Sequence, residues 1–311
     1  MISNIIHREV IALPEKQLQM LRSGWGAPAI DDTIVEAIIY NSDGHQVHGY
    51  LAYPKTVMSD ELLAISDQHA DTHGLNRETQ SGEESHFTFH ISHFPCLVWN
   101  RGGSKERGAI DRFTAKGMFG QLASWGFVVF ASMYRATFER DAHDEFGGSE
   151  VNDILNLMEI ANDIPFADTS RWAMEGWSRG GMMTYLALRK RHDVKAAIIS
   201  GGITDVAECC TTVPRIQAAI QRVVEIEGPS AQENRSAIHF ADELPRDCKY
   251  LIIHGTKDDT VPPTQALKIT SRFLELGMHF RLVLLEEGDH FLKGKKKEVD
   301  QLRKEWLLKY V

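Results

Sequence analysis

Ser178 stands between two glycines in Gly176-Trp177-Ser178-Arg179-Gly180, after the apolar run "RWAMEGW" and before the helix-like run "RGGMMTYLALRK". A Gly-x-Ser-x-Gly pattern is weak alone, but at a strand-to-helix turn it exposes a serine hydroxyl as a nucleophile. A serine on that turn takes strained backbone angles, so its close neighbours must lack side chains; Gly176 and Gly180 meet that need. The following helix aims its first N–H groups at developing negative charge. The bland alternative is a helix-starting serine beside packing glycines.

A serine hydroxyl needs a base, and the base needs an acid that orients it. With a nucleophile of this kind the chain order is Ser, then Asp or Glu, then His. Downstream, "LIIHGTKDDTVPP" places Asp258 and Asp259 just past an apolar run, and "LLEEGDHFLKG" places His290 just past the last such run. Of fourteen histidines, His290 is the one in the required place. Asp289 adjoins His290 and its side chain diverges from it, so Asp289 reads as local loop chemistry. Spacing does not separate Asp258 from Asp259. The oxyanion that forms on attack needs two backbone N–H donors, one on the residue after the nucleophile, Arg179. The second is expected in "VWNRGGSKERG", where Arg101, Gly102 and Gly103 leave a strand. Without the triad that stretch reads as an ordinary strand exit.

Residues in these places need a scaffold that brings strand ends to one edge. Segments 94–100, 127–134, 171–177, 194–200, 249–255 and 280–288 read as strands, several of them continuously apolar as strands covered on both faces are. Before them, 33–40 and 46–54 flank "NSDGH", whose Asp-Gly signals a hairpin. Helical spacing is expected at roughly 111–125, 149–163, 179–191, 264–277 and 295–309. The fold class is therefore α/β: a mostly parallel central sheet with an N-terminal antiparallel hairpin and helices on both faces, in one domain over 1–311. Open sheets of this kind build their sites at the carboxyl ends of the strands. Two segments break the alternation. A polar insertion, 56–85, is expected to hang from the opposite edge. The segment 201–248 is expected to cap the site, with Ile216, Ala219, Ile220 and Val223 on one helical face.

A chain of 311 residues, 43% hydrophobic and 25% charged, can bury a large core. Its formal charge of −9 would repel phosphate backbones, so no nucleic-acid partner is expected. The N-terminus lacks the pattern of a secretory signal and no apolar run reaches the ~18 residues of a membrane span, so no membrane association is expected. Cys96, Cys209, Cys210 and Cys248 form neither a CxxC pair nor a disulfide framework, which fits reduced thiols and a cytoplasmic location. Five histidines (His69, His73, His86, His90 and His93) raise a metal reading. "HFTFHISHF" alternates like a strand, however, and histidines four apart on a strand sit ~13 Å apart, too far to share an ion. No metal or organic cofactor is expected.

The stretches "WNRGG", "DEFGGSEVND", "GWSRGGMMTYLAL", "RSAIHFADEL", "HGTKDDTVPP" and "EEGDHF" resemble the catalytic domain of the prolyl oligopeptidase family of serine hydrolases, within the α/β-hydrolase fold. The resemblance runs from about residue 46 to the C-terminus, outside 56–85. In that family the acid begins an Asp-x-x-Val-Pro run, which implies Asp258 rather than Asp259. It likewise implies Ser178 as nucleophile, His290 as base and the loop from Asn100 to Gly103 beside the oxyanion. Large family peptidases carry a gating β-propeller, for which this chain has no room, and the glutamate-bearing helix that grips a substrate amine in some members is not found. The expected activity is therefore cleavage of a small peptide or ester through an acyl-enzyme. A peptidase is the first reading and a small-ester carboxylesterase the second, with a non-catalytic binding protein on the same fold as the third. Nothing in the sequence sets an oligomeric state.

Overall fold

The computed structural model describes residues 4–57, 93–138 and 143–311. The described residues form a nine-stranded sheet in the order β1-β2-β3-β5-β4-β6-β7-β8-β9. The strands are β1 (Ile5–Val10), β2 (Thr33–Ser42), β3 (His45–Pro54), β4 (Phe94–Asn100), β5 (Val128–Ser132), β6 (Ala167–Trp177), β7 (Val194–Ser200), β8 (Lys249–Gly255) and β9 (Phe280–Leu285). β1, β2 and β3 pair antiparallel, and β3 runs against β5. From β5 through β9 every neighbour is parallel. The expected sheet is thus present, with β1 added at its edge. β5 and β9 are shorter than their apolar runs, ending before Tyr134 and Glu287, which take φ of 62° and 59° and break the extended path.

The hairpin turn follows from Asp43 and Gly44, whose φ values of 52° and 88° suit a tight turn between strands of right-handed twist. After the N-terminal α1 (Glu15–Trp25) and α2 (Ala27–Asp31), the parallel strands are joined by α3 (Arg112–Ser124), α4 (Val151–Ile160), α5 (Arg179–Lys190), α6 (Val206–Thr212), α7 (Pro214–Glu227) and α8 (Thr264–Glu275), and α9 (Lys296–Tyr310) follows the last of them. Asp111 and Asp205 cap α3 and α6 by accepting from Thr114 N and Glu208 N. One core joins α4, α5, α7 and α8 to the sheet through Leu157, Tyr185, Ile220 and Phe273. A second joins α3 and α9 to it through Phe119, Leu122, Trp306 and Leu307. Helices therefore cover both faces, and this burial is the main favourable contribution to the fold.

All six parallel strands point their carboxyl ends to one edge. Pro54 and Phe94, which flank the polar insertion, lie at the other edge, because β3 runs against β5 while β4 runs with it. Beyond Val57 the insertion, with His69 and His73, and the stretch after it with His86 and His90 fall outside the described residues. Among the described residues no group of three or more His, Cys, Asp or Glu side chains is placed to hold a metal, and no helix is long and apolar enough to cross a membrane.

Candidate active site

β6 ends at Trp177, and Ser178 turns the chain into α5 with φ 59° and ψ −125°. A non-glycine residue at positive φ is strained, and the crowding around it explains the flanking glycines. A Cβ on Gly176 would stand 2.1 Å from Gly180 O, and one on Gly180 would stand 1.9 Å from Asn100 O. Ser178 N donates to Ser200 O at 2.9 Å, tying the turn to the end of β7.

Asp258 and His290 arrive from the ends of β8 and β9. His290 Nε2 lies 3.0 Å from Ser178 Oγ, and His290 Nδ1 lies 2.7 Å from Asp258 Oδ2. A neutral imidazole that donates its Nδ1–H to the carboxylate in a hydrogen bond leaves the Nε2 lone pair for the serine hydroxyl. Asp258 Oδ1 accepts from Thr260 N and Val261 N at 2.9 and 2.8 Å, so the carboxylate cannot turn away. Burial pushes the Asp258 carboxyl up. Hydrogen bonds from His254, His290 and Val261 N outweigh it and hold the group well below the usual carboxylate range. Asp259 is exposed and faces Thr260 Oγ1 at 3.2 Å instead. Asp289 Oδ1 accepts from Phe291 N and Lys293 N, which is the local loop chemistry expected of it.

Gly102 lies against Ser178: a Cβ there would sit 3.1 Å from Ser178 Cβ. Arg179 begins α5, so its backbone N–H opens that helix beside Ser178. The Arg101 side chain is buried and organises the loop from inside. It donates to Met133 O, Gly102 O, Arg107 O and Lys105 O at 3.0, 3.0, 3.1 and 2.7 Å, and to Thr137 Oγ1. Three contributors went unread in the sequence. Trp177 packs on the His290 ring at 5.0 Å and donates from Nε1 to His290 O at 3.1 Å, holding the loop that carries His290. His254 Nε2 stands 3.3 Å from Asp258 Oδ2 and 2.9 Å from Val261 O. Asp144 binds the Arg179 guanidinium. Each of the three lies in a motif beside Ser178, Asp258 or Arg179, yet residue type alone does not reveal its role.

Ser178 and His290 line a cleft of about 320 Å³ whose apolar walls include Phe146, Trp177, Ile203, Val213, Ile216 and Phe291. α7 adds Ile216 and Ala219 to the lining, while Ile220 of the same helix packs into the core.

A parallel sheet with an antiparallel leading edge, a serine on a strained strand-to-helix turn, and its acid and histidine on later strand ends together define the α/β-hydrolase fold. The chain belongs to the prolyl oligopeptidase family, whose family model matches residues 116–311. It is 27% identical over 169 residues to the uncharacterized peptidase YtmA of Bacillus subtilis, a match covering 53% of this chain and 63% of that relative. The chain therefore spans less than two thirds of that relative's length. The solved acylaminoacyl peptidase of Pyrococcus horikoshii superposes with a TM-score of 0.70 at 18% identity, covering 91% of this chain and 42% of that one. An acetyl xylan esterase from Paenibacillus sp. R4 superposes at 0.63 and 14% identity, covering 98% and 89%. These two similarities carry the fold.

Proposed function

We propose that this chain is a serine peptidase or peptidase-like hydrolase that cleaves a small peptide amide or an ester through an acyl-enzyme on Ser178. The observation that carries the reading is the hydrogen-bonded line from Ser178 Oγ to His290 to Asp258, at 3.0 and 2.7 Å. His290 Nε2 takes the hydroxyl proton as Oγ bonds to the substrate carbonyl carbon, and the carbonyl's π pair becomes the oxyanion. The N–H groups of Arg179 and of the Arg101–Gly102 loop stabilise it. Collapse expels the amine or alcohol, which leaves with the proton from His290. A water repeats the two steps, frees the acid and restores Ser178. Asp258 keeps the imidazole in the tautomer that accepts from serine and stabilises its charged form.

Family membership favours a peptide amide. A small ester is the second reading, favoured by the apolar walls and the roughly 320 Å³ of the cleft, near the low end for organic ligands. Residues 201–248 act as the cap that shapes the acyl side of this cleft, with Ile216 in contact with the substrate. A cytoplasmic location belongs to the same proposal, supported by four free and buried thiols. A panel of short p-nitroanilides and p-nitrophenyl esters tests the assignment, with Ser178→Ala as control. Turnover of blocked or free di- and tripeptide anilides supports the peptidase. Turnover of esters alone assigns an esterase, and turnover of neither, with no active-site labelling, leaves a binding protein.

A further inference from the structure

The residue after the nucleophile is an arginine, and its side chain does not reach solvent. The Arg179 guanidinium is 2% exposed and lies over the Phe146 ring at 4.7 Å. Nη1 donates to Gly103 O at 3.0 Å and to Asp144 Oδ2 at 2.7 Å. Nη2 meets Asp144 Oδ1 at 2.7 Å and also bonds Glu150 Oε1. One residue therefore carries a backbone N–H beside Ser178 and, at the other end of its side chain, holds a carbonyl of the loop that faces Ser178.

Asp144 completes the link. Besides Arg179 it accepts from Ser104 Oγ at 2.6 Å, Lys105 N at 2.9 Å and Phe146 N at 2.9 Å. Lys105 and Phe146 are both non-glycine residues at φ 50°, a conformation that persists only where surrounding contacts over-determine it. The same carboxylate thus binds the N–H of two strained residues, one on the loop and one on the wall of the cleft. Asp144 is held well below the usual carboxylate range: burial raises it, and the Arg179 charge with its hydrogen bonds, those of Ser104 and of Phe146 N, outweigh burial.

We propose that Asp144 and the Arg179 side chain are a positioning pair, which sets the Gly102–Lys105 backbone against Ser178 so that both oxyanion donors meet the tetrahedral intermediate. The proposal rests on the acyl-transfer reading above. Neither side chain touches substrate; both act through the loop. A rigid spacing of donors matters because they must fit the oxyanion position of the transition state rather than the ground-state carbonyl.

The test compares the parent with Asp144→Asn and Ser104→Ala on one p-nitrophenyl ester, with kcat expressed per site titrated to completion by a fluorophosphonate. Loss of one oxyanion donor costs about 10²–10³ in kcat, so misplacing one is expected to cost about 10–100-fold in Asp144→Asn. The half-buried hydroxyl change, Ser104→Ala, should cost about 3–10-fold. KM should stay within about threefold, and affinity for a trifluoromethyl ketone, which forms a tetrahedral adduct, should fall in step with kcat/KM. A buttress for folding alone would lower the melting temperature and the titrated fraction but leave kcat per site within threefold in both variants, and that result overturns the proposal. If Asp144→Asn yields no titratable protein, Ser104→Ala decides on the same criteria. A parent that turns over and is titrated at Ser178, while both variants match it, defeats the positioning pair alone. A parent that fluorophosphonate does not label at Ser178 defeats the acyl-transfer reading and this proposal with it.

Discussion

Replacing Asp258 by Asn keeps the shape of the side chain and is expected to remove the base. Two backbone donors, Thr260 N and Val261 N at 2.9 and 2.8 Å, hold the Oδ1 position, so the amide oxygen of the Asn must stay there. The amide nitrogen then takes the Oδ2 position, 2.7 Å from His290 Nδ1. Two N–H groups cannot face each other at that distance, so His290 moves its proton to Nε2. That nitrogen sits 3.0 Å from Ser178 Oγ and now donates where it should accept. The same change in a triad protease lowers kcat by about 10⁴, and at ~1.36 kcal/mol per decade that is about 5.4 kcal/mol of barrier. Asp259, exposed and bonded only to Thr260 Oγ1 in this loop, should tolerate Asn with kcat/KM within about threefold, or ~0.65 kcal/mol. The assay is steady-state hydrolysis of a p-nitrophenyl ester at neutral pH by parent and both variants. Thermal melts add a second reading. Because the folded Asp258 carboxyl is depressed, its ionised form stabilises the fold above the unfolded value of ~3.9, and that stability is lost as pH falls. The parent should therefore melt above Asp258→Asn at neutral pH, with the gap closing below about pH 4. Retention of more than about a tenth of parental kcat/KM by Asp258→Asn would refute this reasoning, as would an inactive Asp259→Asn.

The two isoleucines of α7 should separate: Ile216→Ala, at the cleft wall, should change KM and acyl preference, while Ile220→Ala, 1% exposed in the core, should cost about 2–5 kcal/mol of stability with KM little changed. Equal KM effects from both would count against the cap. Burial pushes Glu150 up to about 7, against the Arg179 charge and with that of Asp144, so between about pH 4 and pH 7 the folded state binds the extra proton and stability falls as pH rises. Glu150→Gln lacks that titration and should gain in melting temperature relative to the parent from pH 5 to pH 8; a constant difference would contradict the buried acid. Replacing residues 58–84 by a short Gly-Ser linker should leave kcat/KM on a small ester within about threefold, because Pro54 and Phe94 flank the replaced stretch at the edge far from Ser178. A loss above about tenfold in a variant still labelled at Ser178 would place the insertion at the site.

Much of this was legible because the informative signals are local. Ser178, Asp258 and His290 each follow a mainly apolar run, and those runs become the parallel strands β6, β8 and β9, whose carboxyl ends share an edge. β1 is not legible in the sequence because "IIHREV" lies at the sheet edge with five of its six residues exposed, so no hydrophobic alternation marks it. α1 and α2 are equally unmarked; only Leu21, Ala29 and Ile30 of their residues are buried, too sparse a stripe to stand out. The roles of Arg101 and Asp144 were hidden for a different reason. Charged residues are read as solvated by default, and what reverses that for these two is a set of partners far along the chain: Met133 for Arg101, Ser104 and Arg179 for Asp144. Asp258 and Asp259 could not be separated by spacing at all, because the choice lies in which side chain turns inward toward His290.

The central claim is that Ser178 is the nucleophile, and labelling with a fluorophosphonate followed by peptide mapping measures it directly. The account predicts one modified site, on the peptide that carries Gly176-Trp177-Ser178-Arg179-Gly180, with turnover lost in proportion to labelling. It also predicts neither label nor turnover, to within about 10³-fold or more, in Ser178→Ala. A label on any other residue, or label and turnover that persist in Ser178→Ala, would contradict it.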